Sequence, residues 1–295
     1  MAKAYEELIS FYITHTCAMA CPMCASYNNF RVKGHLDWEK AKPKVYKWGE
    51  LLDIGQITII GGEPITHPNI DDWVYGIRDA FPDCHDIRIL TGLTGDKLTR
   101  FKKQILSWLE QRVIIQISCH DKNWWEDAKI AADEILKDIP HTVETLIDGG
   151  DFPFQRIDYR DEKGRMIFCI LEQFEFFPMS TKKFENGKIV MHDNDPIEAH
   201  TACHCKDCHY IVDGDMYKCV LTGCASMWLE QLPLEERVHK LLEDATTTGL
   251  DPFVDGYKAT INDPVPQCSL CPVKGMDKLI PIWPVPDKKP KFPNE

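Results

Sequence analysis

The sequence predicts an α/β protein built from parallel βα units, on three observations. From residue 8 to about 148, short β-branched runs alternate with longer helix-like segments. The 295-residue length fits a single α/β barrel with a small appendage. After residue 148 the alternation stops, and from about residue 200 turns containing cysteine and glycine take over. At 44% hydrophobic and 27% charged residues, the composition is that of a folded chain with material for a core.

The elements follow in order along the chain. LISFYITH (8–15) reads as the first strand, and DWEKAKPKVYKWGELLD (37–53) as helical, with Pro43 marking a late start or a kink. QITII (56–60) is the second strand and ends in Gly61 and Gly62. HPNIDDWVYGIRDAF (67–81) is a helix with Pro68 near its first turn. DIRIL (86–90) is the third strand, GDKLTRFKKQILSWLEQ (95–111) an amphipathic helix, and RVIIQISC (112–119) the fourth strand. NWWEDAKIAADEILKDI (123–139) is helical, and HTVETLI (141–147) reads as the fifth strand. GGDFPFQ is then a loop and RMIFCILEQFEFF (165–177) a long strand. The proline-rich tail PIWPVPDKKPKFPNE (281–295) is expected to be an extended arm. No low-complexity tract or 20–50-residue repeat interrupts the series.

A formal charge of -12 opposes non-specific encounter with nucleic acid or anionic lipid, so neither is expected as a partner. There is no long apolar run of membrane-spanning length and no zoned signal peptide at the start, which gives a cytoplasmic expectation. Thirteen cysteines are the outlier. A reducing compartment makes a disulfide framework a poor explanation, and metal ligation the leading one. Cys84, Cys119 and Cys169 stand alone in apolar segments and read as small buried hydrophobes.

CAMACPMC holds Cys17, Cys21 and Cys24 directly after the first strand. Three thiols in C-x3-C-x2-C spacing fall one short of a closed zinc site, unless His15 supplies the fourth ligand. A [4Fe-4S] cube held by three cysteines keeps one iron open. The segment resembles the cluster loop of the radical S-adenosylmethionine (radical SAM) superfamily. That resemblance implies a partial (β/α)6 TIM-like barrel, with Cys17, Cys21 and Cys24 as ligands and S-adenosylmethionine chelating the open iron. The position before the last cysteine, usually aromatic in the family, is Met23, whose polarizable thioether would cover an adenine ring.

ITIIGGEP (57–64) closes the second strand. Gly61 and Gly62 let backbone approach a ligand closely, and Glu63 can accept hydrogen bonds from an ammonium group. Taken alone this is an ordinary strand-to-helix turn. Beside the first motif it resembles the family's GGE segment, which implies that Gly61, Gly62, Glu63 and Pro64 bind the cofactor. Strand alternation adds to the inner surface. Val113, Ile115 and Ile117 face the helices, which turns Gln116, Ser118 and His120 inward, with Ser118 a candidate contact to the methionine carboxylate or ribose. On the fifth strand the same reasoning turns Glu144 and Asp148 inward, with Arg88 as a possible partner.

CHCKDCHYIVDGDMYKC (203–219) and CSLC (268–271) carry sulfur for a second site. Two pairs such as Cys205/Cys208 and Cys268/Cys271 would make a zinc ribbon. GDMYKC, with the hairpin glycine Gly214 and then Cys219, instead resembles the SPASM and twitch auxiliary-cluster domains of radical SAM enzymes. The resemblance implies one auxiliary [4Fe-4S] cluster on Cys219, Cys268 and Cys271, with Cys203 or Cys208 completing the set. Cys205 and Cys224 are left as candidate hydrogen-atom-donating thiols, or as inert cysteines in tight turns. His200, His204 and His209 read as exposed turn histidines.

The resulting division is a barrel over 1–198, an auxiliary-cluster region over 199–280 and a tail over 281–295. The expected function is a radical SAM oxidoreductase or maturase acting on a small molecule or peptide. Its expected partner is a low-potential electron donor, a flavodoxin or ferredoxin. The alternatives are a glycyl-radical-type activase, or a non-catalytic module that binds zinc or iron.

Overall fold

The computed structural model describes residues 3–19, 21, 24, 26, 28, 32–148, 154–172, 183–257 and 259–273. Met23 and the tail from 281 to 295 lie outside these, as do residues 173–177 of the long strand expected over 165–177.

The first half is the expected βα series. Strand β1 (Ala4–Thr14) leads through the cysteine loop to helix α1 (Trp38–Leu51), then come β2 (Leu52–Gly61), α2 (Ile70–Ala80) and β3 (Ile87–Thr91). Asp37 starts α1 by accepting the Glu39 N–H at 3.0 Å. The helix runs through Pro43 rather than starting after it, held by the buried Ala41, Val45 and Trp48 on one face. Pro68 lies just outside α2, which Asn69 precedes. The helix expected over 95–111 is two, α3 (Gly95–Thr99) and α4 (Lys102–Glu110), separated at Arg100 and Phe101. Strand β4 (Val113–Cys119) and helix α5 (Trp125–Leu136) follow.

The fifth strand departs from expectation. Strand β5 (His141–Asp148) pairs antiparallel with β6 (Phe154–Asp161), which pairs antiparallel with β7 (Met166–Glu172), and it is β7 that lies parallel to β4. The reason is burial. Phe168, Cys169 and Ile170 are fully buried, as a strand covered on both faces requires, whereas Val143 and Ile147 are 54% and 78% exposed. Glu144 is exposed and pairs with Arg160 at 3.5 Å, so it does not point into the interior. The Asp148 side chain lies outside what is described.

Beyond β7, β8 (Lys183–Glu185) and β9 (Lys188–Val190) form a small separate hairpin. Helix α6 (Pro196–Thr201) leads to β10 (Cys208–Val212), β11 (Asp215–Tyr217) and three helices, α7 (Val220–Gly223), α8 (Ala225–Gln231) and α9 (Glu236–Ala245). Strand β10 returns to lie parallel to β1, with Ile9 opposite His209 and Phe11 opposite Ile211. The sheet order is β11-β10-β1-β2-β3-β4-β7-β6-β5, with six neighbouring strands parallel from β10 to β7. Asp213 (φ 51°) and Gly214 (φ 87°) make the tight turn between β10 and β11, the left-handed pair that a two-residue hairpin needs.

One face of the sheet packs through Ile9, Phe11, Ile57, Ile59, Ile115 and Ile117 against Trp48, Trp73, Trp108 and the other apolar faces of α1 to α5. A second apolar cluster joins Tyr12, on the opposite face of β1, to Val212, Val220, Leu221, Val238, Leu242 and Leu270 of the C-terminal region. That region is fastened to α1 as well. Trp48 Nε1–H donates to the Gly214 carbonyl at 2.9 Å, and Lys44 pairs with Asp215 and Asp251 at 2.7 and 2.9 Å. Among the described residues no helix is long and apolar enough to cross a membrane.

Candidate active site and thiol centres

The first centre forms at the carboxyl ends of β1 and β2. The cysteine loop leaves β1 at Thr14 and is closed at its base by Gly34, whose carbonyl accepts the His15 N–H at 2.8 Å. It is also clamped to the GGE segment: the Gly62 N–H donates to the Thr14 carbonyl at 2.6 Å, and the Glu63 N–H to the Thr16 carbonyl at 2.9 Å. A Cβ added at Gly61 or Gly62 would fall 2.5 Å from the Thr14 or Thr16 carbonyl oxygen. Their lack of a side chain therefore serves the junction between the two motifs, a role that a ligand-approach reading of the sequence did not anticipate.

Glu63 is 1% exposed, and its carboxylate accepts from Thr91 Oγ1 at 2.8 Å, the Gly92 N–H at 2.9 Å and the Ile65 N–H at 3.3 Å. Burial raises its pKa to about 7 against the pull of those three donors. Pro64, also buried, opens the 3-10 turn Pro64–Thr66. Burial pushes the Cys21 thiol up, and Cys24, Cys17 and Glu63 stand near enough to add to it. The Cys24 N–H donates to the Cys21 carbonyl at 3.1 Å, so the last two cysteines share one turn.

His15 is 3% exposed, stacked on Tyr12 with ring centroids 4.9 Å apart, and burial holds its pKa near 4. Both of its ring nitrogens lack a hydrogen-bond partner among the described residues. Gln116 and Ser118 are buried on the inner face of β4, opposite the helix-facing Val113, Ile115 and Ile117. Arg88 Nη1–H donates to Gln116 Oε1 at 3.0 Å, while Asp86 holds the same guanidinium at 2.6 Å.

The second centre is a cavity of about 40 Å³, partly open to solvent. Cys203, Cys205, Cys219, Cys268 and Cys271 line it, together with His200, Lys206 and Lys218. Burial raises the Cys219 and Cys271 thiols, and each is raised further by Cys203 and Cys268. Cys219 also caps α7, its sulfur accepting the Thr222 N–H. Cys205 and Cys208 instead hydrogen-bond to each other. The cavity therefore gathers Cys203, Cys205, Cys219, Cys268 and Cys271, with Cys208 hydrogen-bonded to Cys205 behind them.

His204 is exposed and His200 partly so, but His209 is fully buried, contrary to the reading as a turn histidine. Its Nδ1 faces the Lys218 carbonyl at 3.1 Å and its Nε2 stands 2.7 Å from Asn262 Oδ1. It lies on β10 inside the sheet, which explains the burial. Cys84, Cys119 and Cys169 are buried as expected. Cys224 is fully buried beside Tyr12, with Cys219 and Cys24 both near it.

The donor sets can be tested against the groups they would hold. Thiolates on one tetrahedral zinc stand ~3.8 Å apart. Among the described residues no three His, Cys, Asp or Glu side chains converge on a single-ion site. At the second centre five thiols instead line an empty volume, an arrangement that fits a polynuclear cluster better than one ion. At the first centre three thiols near a buried carboxylate, with the orphaned ring of His15 two residues before Cys17 in the chain, are compatible with an iron-sulfur group as well.

Sequence reasoning missed Thr91 and Gly92 as the anchors of Glu63, since nothing local marks a partner on the next strand. It also passed over Lys218, although a lysine directly before a ligand-candidate cysteine was visible. Tyr12 was read only as part of an apolar strand.

No protein-family model matches the chain, and no curated protein matches it. Among solved structures, the crystal structure of BtrN in complex with AdoMet and 2-DOIA is similar to it at 13% sequence identity and a TM-score of 0.40, covering 83% of this chain and 89% of that one.

Proposed function

We propose that the protein is a radical S-adenosylmethionine enzyme with one auxiliary iron-sulfur cluster. The observation that carries the reading is the clamp between the three-cysteine loop and the GGE segment, which sets three thiols and a buried carboxylate together at the ends of β1 and β2. In this reading Cys17, Cys21 and Cys24 hold a [4Fe-4S] cluster. The Gly61-Gly62-Glu63-Pro64 segment, Met23, Gln116 and Ser118 hold S-adenosylmethionine. Cys203, Cys219, Cys268 and Cys271 hold the auxiliary cluster. The six parallel strands form the wall of a partial barrel, with the auxiliary-cluster region over 199–280 attached through β10.

When bound and reduced, these groups supply one-electron cleavage of the sulfonium and a radical able to abstract a substrate hydrogen atom. The chain's own residues do the rest. Glu63, kept in place by Thr91 and Gly92, offers an anionic acceptor to an ammonium group. Gln116, fixed by Arg88, presents its remaining amide donors to the interior. Tyr12 and the second apolar cluster exclude water from the space between the two centres. In this reading Cys224, buried near both centres, returns a hydrogen atom to substrate, whereas Cys205 is engaged by Cys208. The substrate class is a small molecule or peptide, and the electron donor a flavodoxin or ferredoxin.

Anaerobic reconstitution tests the reading. About eight iron and eight sulfide per chain are expected for two cubes, with 5'-deoxyadenosine released from S-adenosylmethionine after dithionite reduction. One zinc with no iron, or no 5'-deoxyadenosine, would overturn it.

A further inference from the structure

Lys218 is the residue of the second centre that its surroundings do not explain. It is 6% exposed, lines the thiol cavity, and donates its ammonium to one backbone carbonyl, that of Lys206, at 2.9 Å. Among the described residues no carboxylate stands within ion-pair distance of it, and Asp207 acts on it only from farther away. A buried ammonium with one neutral acceptor is costly, because its lost hydration is not replaced by an opposite charge. The main candidates for that charge are the sulfurs around it, of which Cys268 and Cys219 act on it more strongly than Asp207 does. Cys203, Cys219, Cys268 and Cys271 are neutral as thiols but bring four negative charges as cluster-bound thiolates, which a cubane core cancels only in part.

We propose that Lys218 is the resident counter-cation of the second centre, and that its charge raises the reduction potential of the cluster held there. The proposal rests on the reading of that centre as an iron-sulfur site. An ammonium beside a cluster favours the reduced, more negative form, since each added electron interacts with it through a medium of low dielectric. Lys218 does not ligate and does not touch substrate; it is a positioning charge. Its place on the strand-to-helix link between β11 and α7 keeps it next to Cys219.

The test uses the full chain carrying Cys21→Ala, so that the second centre alone contributes a signal, with iron content and an EPR-monitored redox titration as readouts. Lys218→Met is expected to retain iron and to shift the oxidised-to-reduced ratio at fixed potential by about tenfold toward oxidised, or about 59 mV for a one-electron couple. Lys218→Arg, which keeps the charge, is expected to restore the ratio. If Lys218→Met loses iron while Lys218→Arg keeps it, the charge is needed for assembly, and the counter-cation role stands. An unchanged midpoint in Lys218→Met overturns the inference alone. Loss of iron in both variants overturns it in favour of a packing role. A Cys21→Ala protein that takes up no iron with Lys218 intact overturns the reading of the centre, and the inference with it.

Discussion

Glu63 concentrates the chemistry of the first centre in one side chain. It is buried, accepts three hydrogen bonds, and has its pKa raised to about 7. The sign follows from linkage: with the folded-state value above the reference of 4.5, the folded state binds the proton more tightly than the unfolded chain. The side chain's contribution to stability is thus fully present below about pH 4.5 and is lost as pH rises toward 7. The loss is at most about 3 kcal/mol, at 1.36 kcal/mol per unit. In urea titrations of the protein before reconstitution, the wild type is expected to lose more stability between pH 5 and pH 8 than Glu63→Gln. Equal losses would show that Glu63 ionises without cost. The residue was legible in the sequence as part of GGEP, but its environment was not, because Thr91 and Gly92 come from another strand. The same limit applied to Cys203, Cys205 and Cys208, which spacing alone left in competition; Cys203 and Cys205 line the cavity.

Strands β5 and β7 show how much of an element's role its own sequence contains. MIFCIL in β7 is a continuous apolar run, the mark of a strand covered on both faces, and HTVETLI in β5 alternates, the mark of a half-exposed antiparallel strand. Both signals were present. Order along the chain, rather than pattern, placed β5 next to β4, and β6 was not anticipated as a strand. Ile170 and Ile147 separate the two roles experimentally. Ile170→Ala empties a fully buried site and is expected to cost about 2–5 kcal/mol in chemical denaturation. Ile147→Ala, at a position 78% exposed, is expected to stay within about 0.5 kcal/mol. Comparable costs would mean that β5 is covered in solution by something that fills the role of a barrel neighbour.

At the scale of the whole molecule the two thiol centres are distinct in sequence and close in space, joined by Tyr12, Cys224 and the pairing of β1 with β10. Their separability is the sharpest expectation. Cys219→Ala should lower reconstituted iron by about half and leave 5'-deoxyadenosine formation intact, while Cys21→Ala should abolish that cleavage. Loss of cleavage in Cys219→Ala would mean that the centres assemble only together. The βα series and both cysteine clusters were readable from composition and spacing. The docking of β10 on β1 was not, because CHYIV carries no sign of which edge it will join.

That docking sets an order of events during synthesis. Ile9 finds its partner His209 only after some two hundred further residues have left the ribosome. Until then β1 is an open edge, and the loop behind it carries three unprotected thiols. Long-range parallel pairing is slow to form. In the proposed reading, a cluster loaded before β10 arrives would meet a nascent chain with half its scaffold missing, so its insertion would belong after translation, on a chain whose first strand has already met one of its last.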